Sequence, residues 1–128
     1  MRLLLDTSAV LWWFAADAML SITARNLLSR ADTIVLVSAA SAWEICTKVR
    51  IGKLPTAHEL CENFSGFLDQ HQFEPLAVTV EHGRLAGRMP GAHKDPFDRM
   101  LAAQALIEGV PLVTNDPAFA GFGVTMVW

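Results

Sequence analysis

The stretch Arg2-Leu3-Leu4-Leu5-Asp6-Thr7-Ser8 decides the fold. Three consecutive leucines lack the polar alternation of a half-exposed strand, so the run suits a strand buried on both faces. Asp6, Thr7 and Ser8 then supply side-chain oxygens of the kind that start helices. Ala9 to Ala16 (AVLWWFAA) is apolar all round and predicts a buried helix.

The same alternation recurs downstream. Ser21 to Arg30 predicts an amphipathic helix, and Thr33 to Val37 (TIVLV) a second buried strand. Ser38 or Ser41 can cap a helix reaching about Arg50, with Gly52 and Pro55 as punctuation. Thr56 to about Gln70 predicts one further helix, with Thr56 and Glu59 at capping-box spacing. Phe73 to Val78 predicts a strand that Pro75 pushes to a sheet edge. Thr79 to Arg88 predicts a helix, Met89 to Lys94 a loop, and Phe97 to Glu108 a strong helix opened by Asp95 or Asp98 and ended by Gly109. Pro111 to Thr114 and Val124 to Trp128 predict the last two strands. Strands and helices in alternation give an α/β fold with a mainly parallel sheet of about five strands.

The 128 residues suit a single domain, 1–128. With 52% hydrophobic and 18% charged residues the chain is no disordered tail. No run approaches the roughly 18 apolar residues of a membrane span. Asp6 cuts the N-terminal apolar run too early for a secretory leader. Cys46 and Cys61 do not stand in a metal-type CxxC pair, and their number alone leaves a structural disulfide open; with no export signal the expectation is a cytoplasmic protein with both as reduced thiols. Ten Lys and Arg against 13 Asp and Glu give a net charge of −3, which argues against a protein that coats nucleic acid by bulk charge.

In parallel sheets the ligand crevice lies outside the carboxyl ends of the strands. Asp6 follows the first strand, Glu44 lies in the first turns of the helix after the second, and Asp116 stands two residues after the Pro111–Thr114 strand. Asp95 and Asp98 sit at the start of the helix ending at Glu108. Each alone has an ordinary reading: a cap or dipole partner for Asp6, Asp95 and Asp98, an i,i+4 pair of Glu44 with Lys48, a turn residue for Asp116. Five acids from four segments at one edge repel each other unless a cation sits among them. An all-oxygen donor set suits Mg²⁺ or Mn²⁺ rather than Zn²⁺.

The acids occur in a recognisable order. Asp6-Thr7-Ser8 after an apolar strand, Trp43-Glu44-Ile45 after Ser38, Asp95-Pro96-Phe97-Asp98-Arg99-Met100-Leu101-Ala102-Ala103-Gln104-Ala105, and Leu112-Val113-Thr114-Asn115-Asp116 followed by Phe119 resemble the four motifs of PIN-domain ribonucleases. The wording is most similar to VapC-type toxins. The resemblance implies a three-layer α/β/α fold, a Mg²⁺- or Mn²⁺-dependent RNase, an RNA substrate and a cognate antitoxin protein as partner; a homodimer is expected as well. It implies that Asp6, Glu44, Asp98 and Asp116 form a catalytic, metal-binding quartet. Asp95 is an added acid that could share ligation, and Ser8 and Thr114 are supporting hydroxyls. One or two ions would bind the acids and the scissile phosphate, with Glu44 or Asp116 assisting the attacking water.

Bases should rim such a centre. Lys48, Arg50 and Lys53 form one cluster, and Arg84, Arg88, Lys94 and Arg99 with His93 form another. Arg99, Lys94 and His93 are the candidate substrate-binding residues. Of the adjacent Trp12, Trp13 and Phe14, at least one belongs in the core, and another is expected on a dimer or antitoxin surface. His58, His71 and His82 carry no functional expectation. The rival readings are a Mg²⁺-dependent phosphatase-like domain, disfavoured because Ser8 stands where a second Asp is wanted, and a catalytically inert PIN-like module. With the five edge acids set aside, 8 acids face 10 bases, a net of +2 over the rest of the chain. The overall −3 therefore does not exclude a nucleic-acid substrate.

Overall fold

Leu3, Leu4 and Leu5 are all fully buried, yet they serve two different cores. In the computed structural model, which describes residues 1–128, they belong to strand β1 (Arg2–Leu5). The other strands are β2 (Ile34–Ser38), β3 (Glu74–Leu76), β4 (Leu112–Val113) and β5 (Met126–Val127). They form one sheet in the order β3-β2-β1-β4-β5, and every pairing is parallel. The register sets Leu4 beside both Leu36 and Leu112, Leu3 beside Val35, and Leu5 beside Val113.

Successive strand side chains point to opposite faces, which sorts these residues. Leu3, Leu5, Val35, Val37 and Val113 enter one buried cluster, and Leu4, Leu36 and Leu112 enter the other. Helices α1 (Thr7–Phe14), α2 (Ile22–Ser29), α4 (His58–Glu62) and α5 (Phe64–His71) cover the first face, joined by Ile45 of α3 (Ala39–Arg50). Helices α6 (Val80–Arg88) and α7 (Pro96–Glu108) cover the second through Ala86 and Leu101–Ala103. The result is the three-layer α/β/α arrangement expected from the sequence. No helix is long and apolar enough to cross a membrane.

Three local expectations are corrected. The helix expected over 56–70 is broken: a 3-10 turn over Pro55–Ala57 and α4 precede Asn63, whose Oδ1 accepts from Gly66 N (3.2 Å) and restarts the chain as α5. Asn63 takes the cap because its short amide bonds the backbone locally, and the first turn carries no side-chain cap from the Thr56 region. Second, none of Trp12, Trp13 and Phe14 is fully buried: all three lie half-buried against the first core, so they do not divide into one core residue and one free one. The T-shaped partner of Trp12 is Trp128 (5.6 Å), while Trp13 packs on Phe73 (5.4 Å) and Phe14 on Phe67 (5.7 Å). A short helix buried among neighbours can seat side chains on several sides. The exposed tryptophan is Trp43, 67% accessible, whose ring lies 4.9 Å from that of Phe97. Third, Cys46 and Cys61 are not separate thiols: they form a disulfide between α3 and α4, with Cα atoms 5.4 Å apart. Sequence spacing carried no sign of that approach, because it depends on how α4 folds back on α3.

Candidate functional site

The sheet order makes β1 the point where the connections change direction: β2 lies on one side of it and β4 on the other. At such a switch point the carboxyl ends of two neighbouring strands open a crevice. Asp6 follows β1 there, and its N–H donates to Val113 O of β4 (3.1 Å). Ser38 ends β2 and caps α3, its Oγ accepting from Ala40 N (3.0 Å), so the second turn of α3 carries Glu44 to the same edge. Asp95 caps α7, accepting from Phe97 N (2.9 Å) and Asp98 N (3.1 Å), with Pro96 in the first turn. Asp116 follows β4 and caps the turn over Pro117–Phe122.

A hollow of about 340 Å³ gathers these side chains. Asp6, Ser8, Glu44, Asp95, Asp98 and Asp116 all line it. The ordinary readings and the site reading coincide: Asp6, Asp95 and Asp116 are caps, Asp98 stands in the first turn of α7, and Glu44 does pair with Lys48 one turn on, yet all line one cavity. Each quartet acid has one oxygen anchored. Asp6 Oδ1 accepts from Ala9 N (2.7 Å), Asp116 Oδ1 from Ala118 N (2.9 Å), and Asp98 Oδ2 bonds His93 Nε2 (2.8 Å). Glu44 Oε2 holds Lys48, while Glu44 Oε1 is buried with no partner at all.

Burial and mutual repulsion show in the titration. Asp6 is 5% exposed. Desolvation, helped by the charges of Asp98 and Asp116, pushes its carboxyl up to about 6, against the opposing hydrogen bonds of Thr114 and Ala9. Desolvation also raises Asp98, with Asp95 and Glu44 adding to it and the His93 hydrogen bond opposing. An unpaired buried carboxylate oxygen and neighbouring acids held against their charged forms are what a hard cation would relieve. The donor set thus fits Mg²⁺ or Mn²⁺ in kind and number. The side chains as placed do not close into a group of three or more that would grip an ion.

The other expected residues divide. Thr114 is buried, bonds Asp6, and accepts from Asp116 N (3.0 Å). Ser8 is exposed at the hollow. His93 reaches the site through Asp98, and Lys94 is exposed on the same loop. Arg99 does not line the hollow. Its guanidinium donates to Ala86 O (2.9 Å), His93 O (3.0 Å) and Met89 O, and lies over the Phe122 ring. Adjacency to Asp98 in sequence does not fix direction on a helix, where neighbours point about 100° apart. Arg99→Ala is therefore expected to destabilise the protein by about 2 kcal/mol in denaturant titration, because three part-buried carbonyls lose a charged donor. Among the basic residues, Lys48 lines the hollow while Arg50, Lys53, Arg84 and Arg88 do not.

The sequence reading missed three features. Thr7 lines the hollow and its hydroxyl meets Ser41 Oγ (3.1 Å), tying α1 to α3 beneath the acids. Leu11 and Leu54 form part of its wall; no sequence signal marks them, since both read as ordinary core. Thr7 is legible as part of the Asp6-Thr7-Ser8 run, but its place at the hollow is not.

A family model described as PIN domain matches residues 3–124. No curated protein matches the chain in sequence. Among solved structures, the chain is similar to VapC20 of Mycobacterium tuberculosis, described as a sarcin-ricin loop cleaving toxin (19% identity, 98% of each chain covered, TM-score 0.71). It is similar to VapBC2 of Rickettsia felis bound to a promoter DNA fragment (18% identity, 99% of this chain and 98% of that one, TM-score 0.65). A third is a toxin–antitoxin complex from Klebsiella pneumoniae (16% identity, 98% and 95% covered, TM-score 0.69).

Proposed function

This chain belongs to the PIN domain family, and from that premise we propose that it is a Mg²⁺- or Mn²⁺-dependent ribonuclease, the toxin of a toxin–antitoxin pair. The observation that carries the reading is the carboxylate hollow at the β1/β4 switch point, with its raised acids and the unpartnered Glu44 Oε1. Asp6, Glu44, Asp98 and Asp116 would hold the metal, with Asp95 beside them. A bound divalent ion supplies Lewis acidity, acidifying a water and neutralising charge on the scissile phosphate.

The chain's own residues do the positioning. Backbone N–H groups of Ala9 and Ala118 and the His93 ring each fix one oxygen of an acid that lines the hollow. Thr114 steadies Asp6 and the Asp116 backbone together. Lys48 offsets the charge of Glu44 and gives the hollow one cation of its own. Lys94 and His93, on the loop before α7, would meet RNA. Arg99 acts on RNA only by holding that loop. The hollow needs no protein nucleophile, and hydrolysis by water suffices. A similar fold described as a toxin–antitoxin complex supports a cognate antitoxin partner, and a homodimer is proposed with it.

The test is metal add-back. A labelled RNA pool incubated with the protein in EDTA should stay intact, and Mg²⁺ or Mn²⁺ should restore cleavage. Cleavage undiminished in EDTA would contradict the reading. No cleavage of any RNA, with phosphate released from small phosphomonoesters instead, would favour the phosphatase alternative. Neither reaction would leave the inert binding module.

A further inference from the structure

Beside the carboxylates lies a second hollow of about 380 Å³ whose lining is apolar except for His93. Two short segments form it: Gly91-Ala92-His93 before α7, and Ala118, Gly121 and Phe122 after Asp116. Both segments are anchored to the acids. His93 bonds Asp98, and Ala118 N donates to Asp116. The His93 ring stands 6.1 Å from that of Phe122 and 6.3 Å from that of Phe119, a residue of the carboxylate hollow. Arg99 covers Phe122 on one side (5.5 Å to the ring centroid) and ties down the carbonyl of His93.

Glycine is required at one wall. Gly91 has φ +142°, and a Cβ there would come within 2.9 Å of Phe122. The loop can approach the ring only without a side chain. At Gly121, by contrast, a Cβ would meet nothing within 4 Å. The outcome is an open, side-chain-poor space bordered by the His93 and Phe122 rings, linked to the acids through the His93–Asp98 and Ala118–Asp116 bonds and almost without hydrogen-bonding groups.

We propose that this hollow takes the base of a nucleotide adjoining the cleaved phosphate of single-stranded RNA. It rests on the ribonuclease reading above and adds to it the mode of substrate recognition. Unpaired RNA bases are commonly held by stacking on aromatic rings. A stacking platform tolerates any base, because each has a π-face, whereas discrimination by base identity needs edge-directed donors and acceptors that this lining lacks. The site therefore reads the presence of an unstacked base, not which base it is.

The test walks a single abasic nucleotide through an RNA oligonucleotide, across the positions flanking the cleavage point, under metal conditions that support cleavage. At one adjoining position kcat/KM should fall roughly 5- to 150-fold, the effect of losing one stacked base, while exchanging the four bases there changes it little. Gly121→Leu should fill the hollow, lower cleavage of the intact oligonucleotide to the abasic level and abolish the abasic penalty, with the melting temperature held. Phe122→Leu, which keeps bulk but removes the ring, is the second variant should Gly121→Leu fold poorly, and it should also erase the penalty. An intact oligonucleotide carrying 2-aminopurine at that position should lose fluorescence on binding wild type and not on binding either variant. The subsite is overturned if no abasic position matters, if both variants retain the penalty, or if Gly121→Leu spares cleavage and instead blocks a protein partner. Absence of any metal-dependent RNA cleavage by wild type would remove the ribonuclease reading itself, a different result from cleavage that ignores the abasic nucleotide.

Discussion

RNA cleavage by Asp6→Asn and by Asp98→Asn is expected to fall at least about 100-fold below wild type, the upper range seen when mere supporting partners of a metal site are removed. The substitution isolates charge. Asn retains an oxygen that can accept from Ala9 N at the start of α1, or from His93 at Asp98, so caps and packing survive. What disappears is the negative charge that draws a divalent cation into the hollow. Asp95→Asn should cost less. One Asp95 oxygen already accepts two backbone N–H groups, which commits it to the start of α7. Rates of labelled RNA cleavage at saturating Mn²⁺ measure all three, and equal activity of the Asp6 or Asp98 variant would sink the site.

Without metal, the same Asp6→Asn substitution should make the protein more stable, by about 3 kcal/mol at neutral pH, the equivalent of a carboxyl raised from 3.8 to about 6. The sign follows from linkage. Between those two values the folded state binds more protons than the unfolded one, so stability falls as pH rises from about 4 to about 6 and stays low above that. Asp98 is raised for related reasons and acts in the same direction. Urea titrations in EDTA at pH 4 and pH 7 should show wild type losing stability on the way up, and Asp6→Asn losing much less. Equal slopes in the two proteins would mean that Asp6 is not held against its charge. A centre that is destabilised when empty and charged is one arranged for a cation.

Sequence reading reached the layers and the edge for a physical reason. Doubly buried strands such as Leu3–Leu5 and Val35–Val37 are written as unbroken apolar runs, and helix caps such as Asp6 and Asp95 are local chemistry. Once the sheet is parallel, the carboxyl edge follows, and five acids can be assigned to it. Side-chain direction was not legible in the same way. Arg99 stands next to Asp98 yet turns to the loop carbonyls, and Lys48, a plain i,i+4 partner by spacing, lines the hollow. The aromatic side chains of α1 found partners far along the chain, Trp128 and Phe73 among them, while Trp43 stayed exposed. Such outcomes, like the approach of Cys46 to Cys61, depend on contacts between distant segments. The Gly91–Phe122 wall is of the same kind, because it exists only when two loops meet.

The central claim is that the Asp6, Glu44, Asp98 and Asp116 carboxylates form a divalent-cation site, and calorimetric titration with Mn²⁺ tests it most directly. Wild type should bind Mn²⁺ with release of protons at pH 6, because Asp6 is partly protonated there. Asp98→Asn should bind at least about ten-fold more weakly. Wild type that takes up no Mn²⁺, or an Asp98→Asn variant that binds it equally well, would contradict the account.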